Sequence, residues 1–231
     1  MVRGMTPAEA RALYPVLQTR AYFNAGTSGP LAEATVDALY RAALEELAQG
    51  RSGQGRVDRF HDLREQIRLR VAPVIGVEPS KVAITSSTTE GCNIALSAMR
   101  IGPADEVVTT DNEHPGLSAP LAARGARLRV AQVLRRPAAE AFDRILAEVT
   151  PRTRLIALSH VGWLNGHVLP VLELKRATGL PVLVDGAQSA GAVPVEAAEI
   201  DFYTVSCAAR SYRHGGCRSS AVSQASSVGI E

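Results

Sequence analysis

The chain has 231 residues, of which 46% are hydrophobic, and its 25 basic and 23 acidic residues leave a formal net charge of +2. This length suits one α/β domain or slightly more. The near-neutral charge argues against a nucleic acid or a membrane surface as a partner, and no apolar run approaches the ~20 residues of a membrane span.

Three cysteines, Cys92, Cys207 and Cys217, give neither a disulfide framework nor the spacing of a metal site. The N-terminus also lacks the apolar core of a signal peptide. We therefore expect a cytoplasmic protein with reduced thiols and no metal.

The first third of the chain is predicted to be mostly helical. Thr6 before Pro7 indicates the start of a helix, and a short strand over 21–23 leads into a turn-rich loop over 24–30. Apolar periodicity predicts a helix over 31–49 that ends at Gly50, and a second over 57–72 that is closed by Pro73. Residues 1–55 are taken as an N-terminal helical segment with an entrance loop.

From Lys81 onward, strands and helices alternate. Such alternation predicts an α/β fold with a doubly wound, mostly parallel sheet and right-handed crossovers. Residues 56–206 are assigned to this domain, with one of the intervening helices over 137–149. Strands are predicted over 82–85, 106–109, 127–133, 154–159, 182–185 and 202–206.

The strand over 182–185 ends in an acid, Asp185, and Gln188 follows three residues later. The carboxyl end of a strand is where α/β sheets bind ligands, and a buried acid needs a cationic partner. The pyridinium nitrogen of pyridoxal 5'-phosphate (PLP) would supply that charge. The spacing leaves a second interpretation open, in which Asp185 only caps the following turn.

Two further segments could contact such a cofactor. Thr88 and Thr89 open a helix after the strand over 82–85, and backbone N–H groups with hydroxyls at a helix start can bind phosphate. The alternative is an ordinary helix cap, with Glu90 in the first turn. His114 follows another strand and could stack on an aromatic ring or move protons, although most loop histidines have no such role.

Taken together, these segments resemble the class V aminotransferases, which include cysteine desulfurases, selenocysteine lyases, isopenicillin N epimerase-like proteins and kynureninase-like proteins. The resemblance covers roughly residues 20–206 and implies the large domain of a fold-type I PLP enzyme. Asp185 would pair with the pyridine nitrogen, Gln188 would bond the ring hydroxyl, and His114 would stack on the ring. The resemblance implies six cofactor-binding residues, of which His114 and Asp185 would also be catalytic: Thr88, Thr89, His114, Asp185, Gln188 and Ser206.

The implied activity is that of a PLP-dependent transaminase, lyase or epimerase that acts on an amino acid or amine. Intact relatives are expected to be homodimers. Trp163 stands where desulfurases usually place an asparagine that bonds the ring hydroxyl, and indole can only donate. This departure favours the epimerase-like or lyase-like branches. His160, three residues earlier, is as compatible with strand packing as with function.

The resemblance stops after Ser206, where the family continues to its Schiff-base lysine. This chain has Cys207 to Arg210 instead, and arginine cannot serve as that nucleophile. The only lysines, Lys81 and Lys175, lie outside the family motifs. Back-translation of the segment around 209–216, read one nucleotide later, can give the Gly- and Thr-rich sequence that follows the lysine in the family.

We therefore expect a frame-shifted or truncated chain that lacks the C-terminal small domain, has an irregular tail over 207–231, and is inactive. The alternative is a non-enzymatic remnant or regulatory protein that retains the fold. A nucleotide-binding α/β domain is a weaker alternative, because neither GxGxxG nor GKS/T is present.

Overall fold

The computed structural model describes residues 6–206 and, as backbone, the strand Ser220–Gln224. Contacts between Cα atoms divide the described chain into two compact units, one that extends to Ile67 and one that begins at Arg68. The division lies within a helix rather than at residue 55, where the sequence suggested a boundary.

The first unit contains helices α1 (Pro7–Ala12), α2 (Val16–Thr19), α3 (Glu33–Gln49) and most of α4 (Gln54–Ile75). The predicted start of α1 is confirmed by a capping box, in which Thr6 Oγ1 accepts from the Glu9 N–H at 3.2 Å and Glu9 Oε2 accepts from the Thr6 N–H at 2.6 Å. The predicted strand over 21–23 is wrong. Tyr22 instead donates to the Ser28 carbonyl at 2.5 Å, which closes the segment into a turn.

Helix α4 continues through Pro73 to Ile75, so the predicted end at residue 72 is also wrong. Proline removes only one hydrogen bond in this last turn, while Ala72 and Ile75 are buried. The helix ends at Gly76, whose φ of 71° is the left-handed conformation common at helix C-termini.

The second unit is built on one sheet, in the order β1-β7-β6-β5-β4-β2-β3. All pairings except those of β7 are parallel, so the predicted fold class and the six predicted strands are confirmed. The strands are β1 (Val82–Thr85), β2 (Glu106–Thr110), β3 (Arg127–Ala131), β4 (Thr153–Ser159), β5 (Val182–Asp185), β6 (Phe202–Ser206) and β7 (Ser220–Gln224).

Helices cover both faces of this sheet. They are α5 (Thr88–Ala98), α6 (Pro115–Ala123), α7 (Ala141–Ala147) and α8 (Val171–Thr178), with 3-10 turns at Pro79–Lys81, Ala138–Glu140 and Ala197–Glu199. The helix predicted over 137–149 is therefore a 3-10 turn followed by the shorter α7.

Strand β7 lies in the segment over 207–231 for which the sequence predicts an irregular tail. It runs antiparallel between β1 and β6 and pairs with both. The physical reason is that β1 and β6 would otherwise leave their facing edges unpaired. The rest of the predicted tail lies outside the described residues.

The alternation of side chains along the strands divides the core into two layers. On one face, Leu155 and Leu183 pack in a cluster with Leu96 of α5 and Leu117 of α6. On the other face, residues such as Ile156 are fully buried beneath α7 and α8. Because both faces are covered, polar chemistry in this unit is confined to the strand ends and loops.

Replacement of Leu183 by alanine should lower the free energy of unfolding by about 2–5 kcal/mol, since it leaves a cavity in a fully buried layer. Leu164→Ala is the matched control, because Leu164 is 56% exposed, and should change stability by no more than about 0.5 kcal/mol. Urea denaturation followed by circular dichroism measures both. Equal effects would contradict the described core.

Candidate functional site

The carboxyl ends of three neighbouring strands, β2, β4 and β5, lie together at one edge of the sheet, and polar residues follow them. The chain runs from β2 outward to β3, then returns to place β4 on the other side of β2. The strand order therefore reverses between β2 and β4, which is the position where open α/β sheets bind ligands. A cavity of about 80 Å³ lies there, lined by Thr88, His114, Ser159, Trp163, Asp185, Ala187 and Gln188.

Four of the six predicted cofactor-binding residues line this cavity: Thr88, His114, Asp185 and Gln188. Thr89 and Ser206 do not. Thr89 is exposed, and its hydroxyl lies 2.7 Å from the place that a Cβ on Gly116 would occupy. Ser206 is the half-buried last residue of β6.

Asp185 is the last residue of β5 and is only 3% exposed. Its Oδ1 accepts from the Ala187 N–H at 2.9 Å, so the acid does cap the following turn. Its carbonyl accepts from the His160 N–H at 3.0 Å, which ties the end of β5 to β4. A carboxylate buried beside a cavity favours a cationic group in that cavity.

His114 is the N-cap residue of α6, and its Nδ1 accepts from the Gly116 N–H at 2.9 Å. This nitrogen therefore carries no proton, and the ring proton lies on Nε2. The ring stands edge-on to Trp163, with 5.2 Å between centroids and an interplanar angle of 84°. The histidine is thus held in one tautomer by the helix end and in one orientation by the indole.

Thr88 is the first residue of α5. Ser87, the N-cap residue, accepts from the Glu90 N–H at 3.0 Å, and the Glu90 carboxylate accepts from the Ser86 N–H at 2.5 Å. The ordinary cap that the sequence allowed is therefore present. Thr88 lines the cavity at the positive end of the helix dipole.

Glu113 is a site residue that the sequence analysis missed. Its Oε2 accepts from both the N–H and the hydroxyl of Ser159, at 2.8 and 2.6 Å, and its Oε1 accepts from the Thr110 hydroxyl at 2.5 Å. Burial, with a smaller contribution from the charge of Asp185, raises the pKa of Glu113 to about 7 against the effect of these bonds. Glu113 lies three residues beyond the end of the fully buried strand β2, so no strand-end pattern marked it in the sequence.

Asn112 was also missed, and it fixes the loop that carries Trp163. This residue is 1% exposed and donates to Asn165 Oδ1 at 2.8 Å. A Cβ on Gly162 would collide with its amide, so only glycine allows this approach. Trp163 is thereby held beside the cavity although it remains 44% exposed.

His160 lies on the opposite face of the sheet. It is 9% exposed, and its Nδ1 lies 2.5 Å from the hydroxyl of Tyr203. It does not line the cavity that contains Asp185.

Neither lysine lies at the site. Lys175 donates to Asp201 at 2.7 Å, and Asp201 also accepts from the N–H of Val182, the first residue of β5. Lys81 directly precedes β1. Both lysines therefore lie near the amino ends of strands, whereas the cavity is at the carboxyl ends.

Other kinds of site find little support in the part of the chain that the structure describes. No group of three or more His, Cys, Asp or Glu residues could hold a metal there, and none of its helices is long and apolar enough to cross a membrane. Burial raises the pKa of Cys92, which keeps the thiol protonated and unreactive.

The family model described as Aminotransferase class-V matches residues 21–208. The isopenicillin N epimerase of Streptomyces clavuligerus is 30% identical over 212 residues, which cover 84% of this chain and 51% of that protein. A probable cysteine desulfurase of Mycolicibacterium paratuberculosis is 36% identical over 165 residues, 64% of this chain and 23% of that protein. The chain spans about half the length of the epimerase and of several cysteine desulfurases that it matches.

Among solved structures, a C-DES variant with glycine covalently linked to its PLP cofactor superposes with a TM-score of 0.81 and 30% identity. The match covers 93% of this chain and 59% of that one. The cystine C–S lyase C-DES in complex with its product, cysteine persulfide, gives a TM-score of 0.79 at 30% identity, with 91% and 58% coverage.

Glu113 should make the protein less stable as the pH rises. Its pKa is about 4.5 when unperturbed and about 7 in the folded chain, so between these values the folded state binds more protons than the unfolded state. Its contribution is therefore greatest below about pH 4.5 and falls by about 2–3 kcal/mol as the pH rises to about 7. Urea denaturation of the wild type and Glu113→Gln from pH 5 to 8 measures this difference. Parallel pH profiles would show that Glu113 is not perturbed.

Proposed function

Because this chain belongs to the class V aminotransferase family, we propose that its strand-end cavity is a PLP site and that its reaction is that of a PLP-dependent enzyme acting on an amino acid or amine. The observation that carries the proposal is the convergence of Asp185, His114 and Thr88 on one cavity from three separate elements. These residues supply an acid, an aromatic imidazole and a helix N-terminus.

The chemistry of the lining residues fits this cofactor. Asp185 would hold the pyridine nitrogen, the Gln188 amide would bond the ring hydroxyl, and His114 would cover the ring. Thr88 and the first N–H groups of α5 would hold the phosphate, as would Thr89 and Ser206 according to the family pattern. The cavity of about 80 Å³ is smaller than the ~150 Å³ that takes a benzene ring. A bound ring therefore remains partly open to solvent or displaces the exposed His114 and Trp163.

PLP supplies an electron sink for bonds at the substrate's α-carbon. The role we assign to Asp185 is to keep a proton on the ring nitrogen, because a buried carboxylate stabilises the adjacent cation. Glu113 is neutral below about pH 7, which leaves Asp185 as the main negative charge near the ring. His114 can donate a hydrogen bond only from Nε2, since its Nδ1 is occupied by the Gly116 N–H.

An amino acid substrate is supported by the relatives, which include an isopenicillin N epimerase, cysteine desulfurases and a cystine lyase. Trp163 lines the cavity and cannot accept a hydrogen bond from a ring hydroxyl. This supports an epimerase-like or lyase-like reaction over that of a desulfurase. We also propose a cytoplasmic location and, for the intact protein, a homodimer.

We further propose that the chain with this sequence does not turn over substrate, because its lysines are at the other end of the strands and Arg210 follows β6 where the family's lysine is expected. The second candidate is a remnant or regulatory protein that retains the fold, and the position of Lys175 favours it. Resequencing the DNA across codons 204–220 distinguishes the two. A corrected reading frame that restores the lysine and remains open would support the enzyme. Confirmation of the present reading frame would support the remnant or regulatory protein.

Binding of PLP can be measured through Trp163, the single tryptophan of the chain, which lines the cavity. Titration with PLP should quench its fluorescence to saturation, and Asp185→Ala should weaken binding about tenfold or more, because a charge-assisted contact is lost. Asp143→Ala, at an exposed position of α7, is the matched control. Equal affinity of the wild type and Asp185→Ala would contradict the assignment.

Borohydride reduction of the same mixture separates cofactor binding from covalent attachment. With no lysine at the site, mass spectrometry should find no stoichiometric PLP adduct even where fluorescence shows binding. A stoichiometric adduct on Lys81 or Lys175 would overturn the position of the site.

A further inference from the structure

A second cavity, of about 440 Å³, opens beside His160 on the face of the sheet that carries α7 and α8. It shares no lining residue with the cavity at Asp185. Its walls are mostly apolar and include Phe142 and Leu169, and its polar lining residues are His160, Tyr203, Glu173 and Glu196. This volume and this mixture of surfaces are typical of small-molecule sites. We call it the rear cavity.

A chain of hydrogen bonds with a fixed direction leads away from the rear cavity. Ser189 Oγ donates to the Gly186 carbonyl at 3.0 Å, so it must accept from the Tyr203 hydroxyl, 2.6 Å away. The Tyr203 oxygen then accepts from His160 Nδ1 at 2.5 Å. Burial raises the pKa of Tyr203, which keeps this hydroxyl protonated and able to donate.

The direction of this chain determines the tautomer of His160. Its Nδ1 carries the proton, and burial lowers the pKa of the ring, so Nε2 has a free lone pair. Nε2 makes no hydrogen bond to any residue that the structure describes, and it is not sealed from solvent. A histidine that is nine-tenths buried thus lines the rear cavity and has an unused acceptor.

Two acidic residues, Glu173 and Glu196, line the rear cavity. Arg176 is near both acids, and it is held by Glu199 through bonds of 3.0 and 2.5 Å. Glu173 and Glu196 add to the field at Arg176 but do not form an ion pair with it among the described residues. The described lining residues of the rear cavity thus include two carboxylates and no lysine or arginine.

We propose that the rear cavity is a binding site for a small primary ammonium compound with an apolar body, whose N–H group donates to His160 Nε2. The apolar body would pack on Phe142 and Leu169, and the positive charge would offset Glu173 and Glu196. The hydrogen-bond chain continues to the carbonyl of Gly186, between Asp185 and Ala187. An occupant would therefore brace the turn that holds the strand-end acid, but its binding does not depend on PLP.

Benzylamine is a suitable probe, with benzyl alcohol as its uncharged counterpart. In the 231-residue chain labelled with ¹⁵N-histidine, long-range proton–nitrogen NMR should show that His160 is protonated at Nδ1 and unprotonated at Nε2. Benzylamine should shift the Nε2 resonance to saturation, and benzyl alcohol should bind about tenfold more weakly, since it lacks the charge. A protonated Nε2 in the free chain, equal binding of both compounds, or no saturable shift would overturn the proposal.

Two variants test the residues involved. The double variant Glu173→Gln, Glu196→Gln changes exposed positions only. It should weaken the binding of benzylamine about tenfold and leave the binding of benzyl alcohol unchanged. Tyr203→Phe removes the acceptor that fixes Nδ1–H, so the His160 signal should show proton exchange between both nitrogens. Glu148→Gln, outside the rear cavity, is the control and should behave as the wild type. Unchanged benzylamine affinity in the double variant would contradict recognition of the ammonium charge.

Discussion

The parallel alignment of β2, β4 and β5 is the constraint on which the site depends. Their carboxyl ends lie at one edge, and the sheet is covered on both faces, so the polar residues that follow each strand converge at that edge. Glu113 strengthens this arrangement by bonding both the N–H and the hydroxyl of Ser159 across from β2 to β4. Asp185 lies opposite Ser159 in the register of β4 and β5. The cavity is thus a consequence of strand pairing.

Two acidic side chains, Glu113 and Asp185, lie close enough in the site for the charge of one to affect the ionisation of the other. The charge of Asp185 disfavours ionisation of Glu113, and the three hydrogen bonds to Glu113 do not offset the cost of its burial. A cation beside Asp185 would relieve this repulsion, which is the electrostatic argument for a pyridinium ring. On the other face of the sheet, two carboxylates, Glu173 and Glu196, line the rear cavity together with His160.

The sequence predicted the sheet well because its strands are short, strongly apolar and separated by helices. The bounds of β1, β5 and β6 match the expectation residue for residue. The errors arose where tertiary packing outweighed local preference, as in α4, which passes Pro73 because Ile75 is buried. The strand predicted over 21–23 failed for a different reason, because Tyr22 bonds within a local turn.

At the site, the sequence could identify residues that a motif marks, such as Asp185 and His114, and the structure places them together. It could not identify Glu113 or Asn112, because their importance lies in partners 46 and 53 residues away along the chain. Nor could it reveal the direction of the hydrogen-bond chain from His160 to Gly186. That direction follows only from which atoms face one another.

The most direct measurement of the central claim is the protonation state of the cofactor's ring nitrogen. PLP labelled with ¹⁵N at that position would be bound to the chain and followed by nitrogen NMR, at a pH above that at which the free ring loses its proton. We predict the chemical shift of a protonated nitrogen in the wild type and its loss in Asp185→Ala, because the buried carboxylate stabilises the pyridinium. A bound nitrogen that titrates as it does in free PLP, with or without Asp185, would contradict the account.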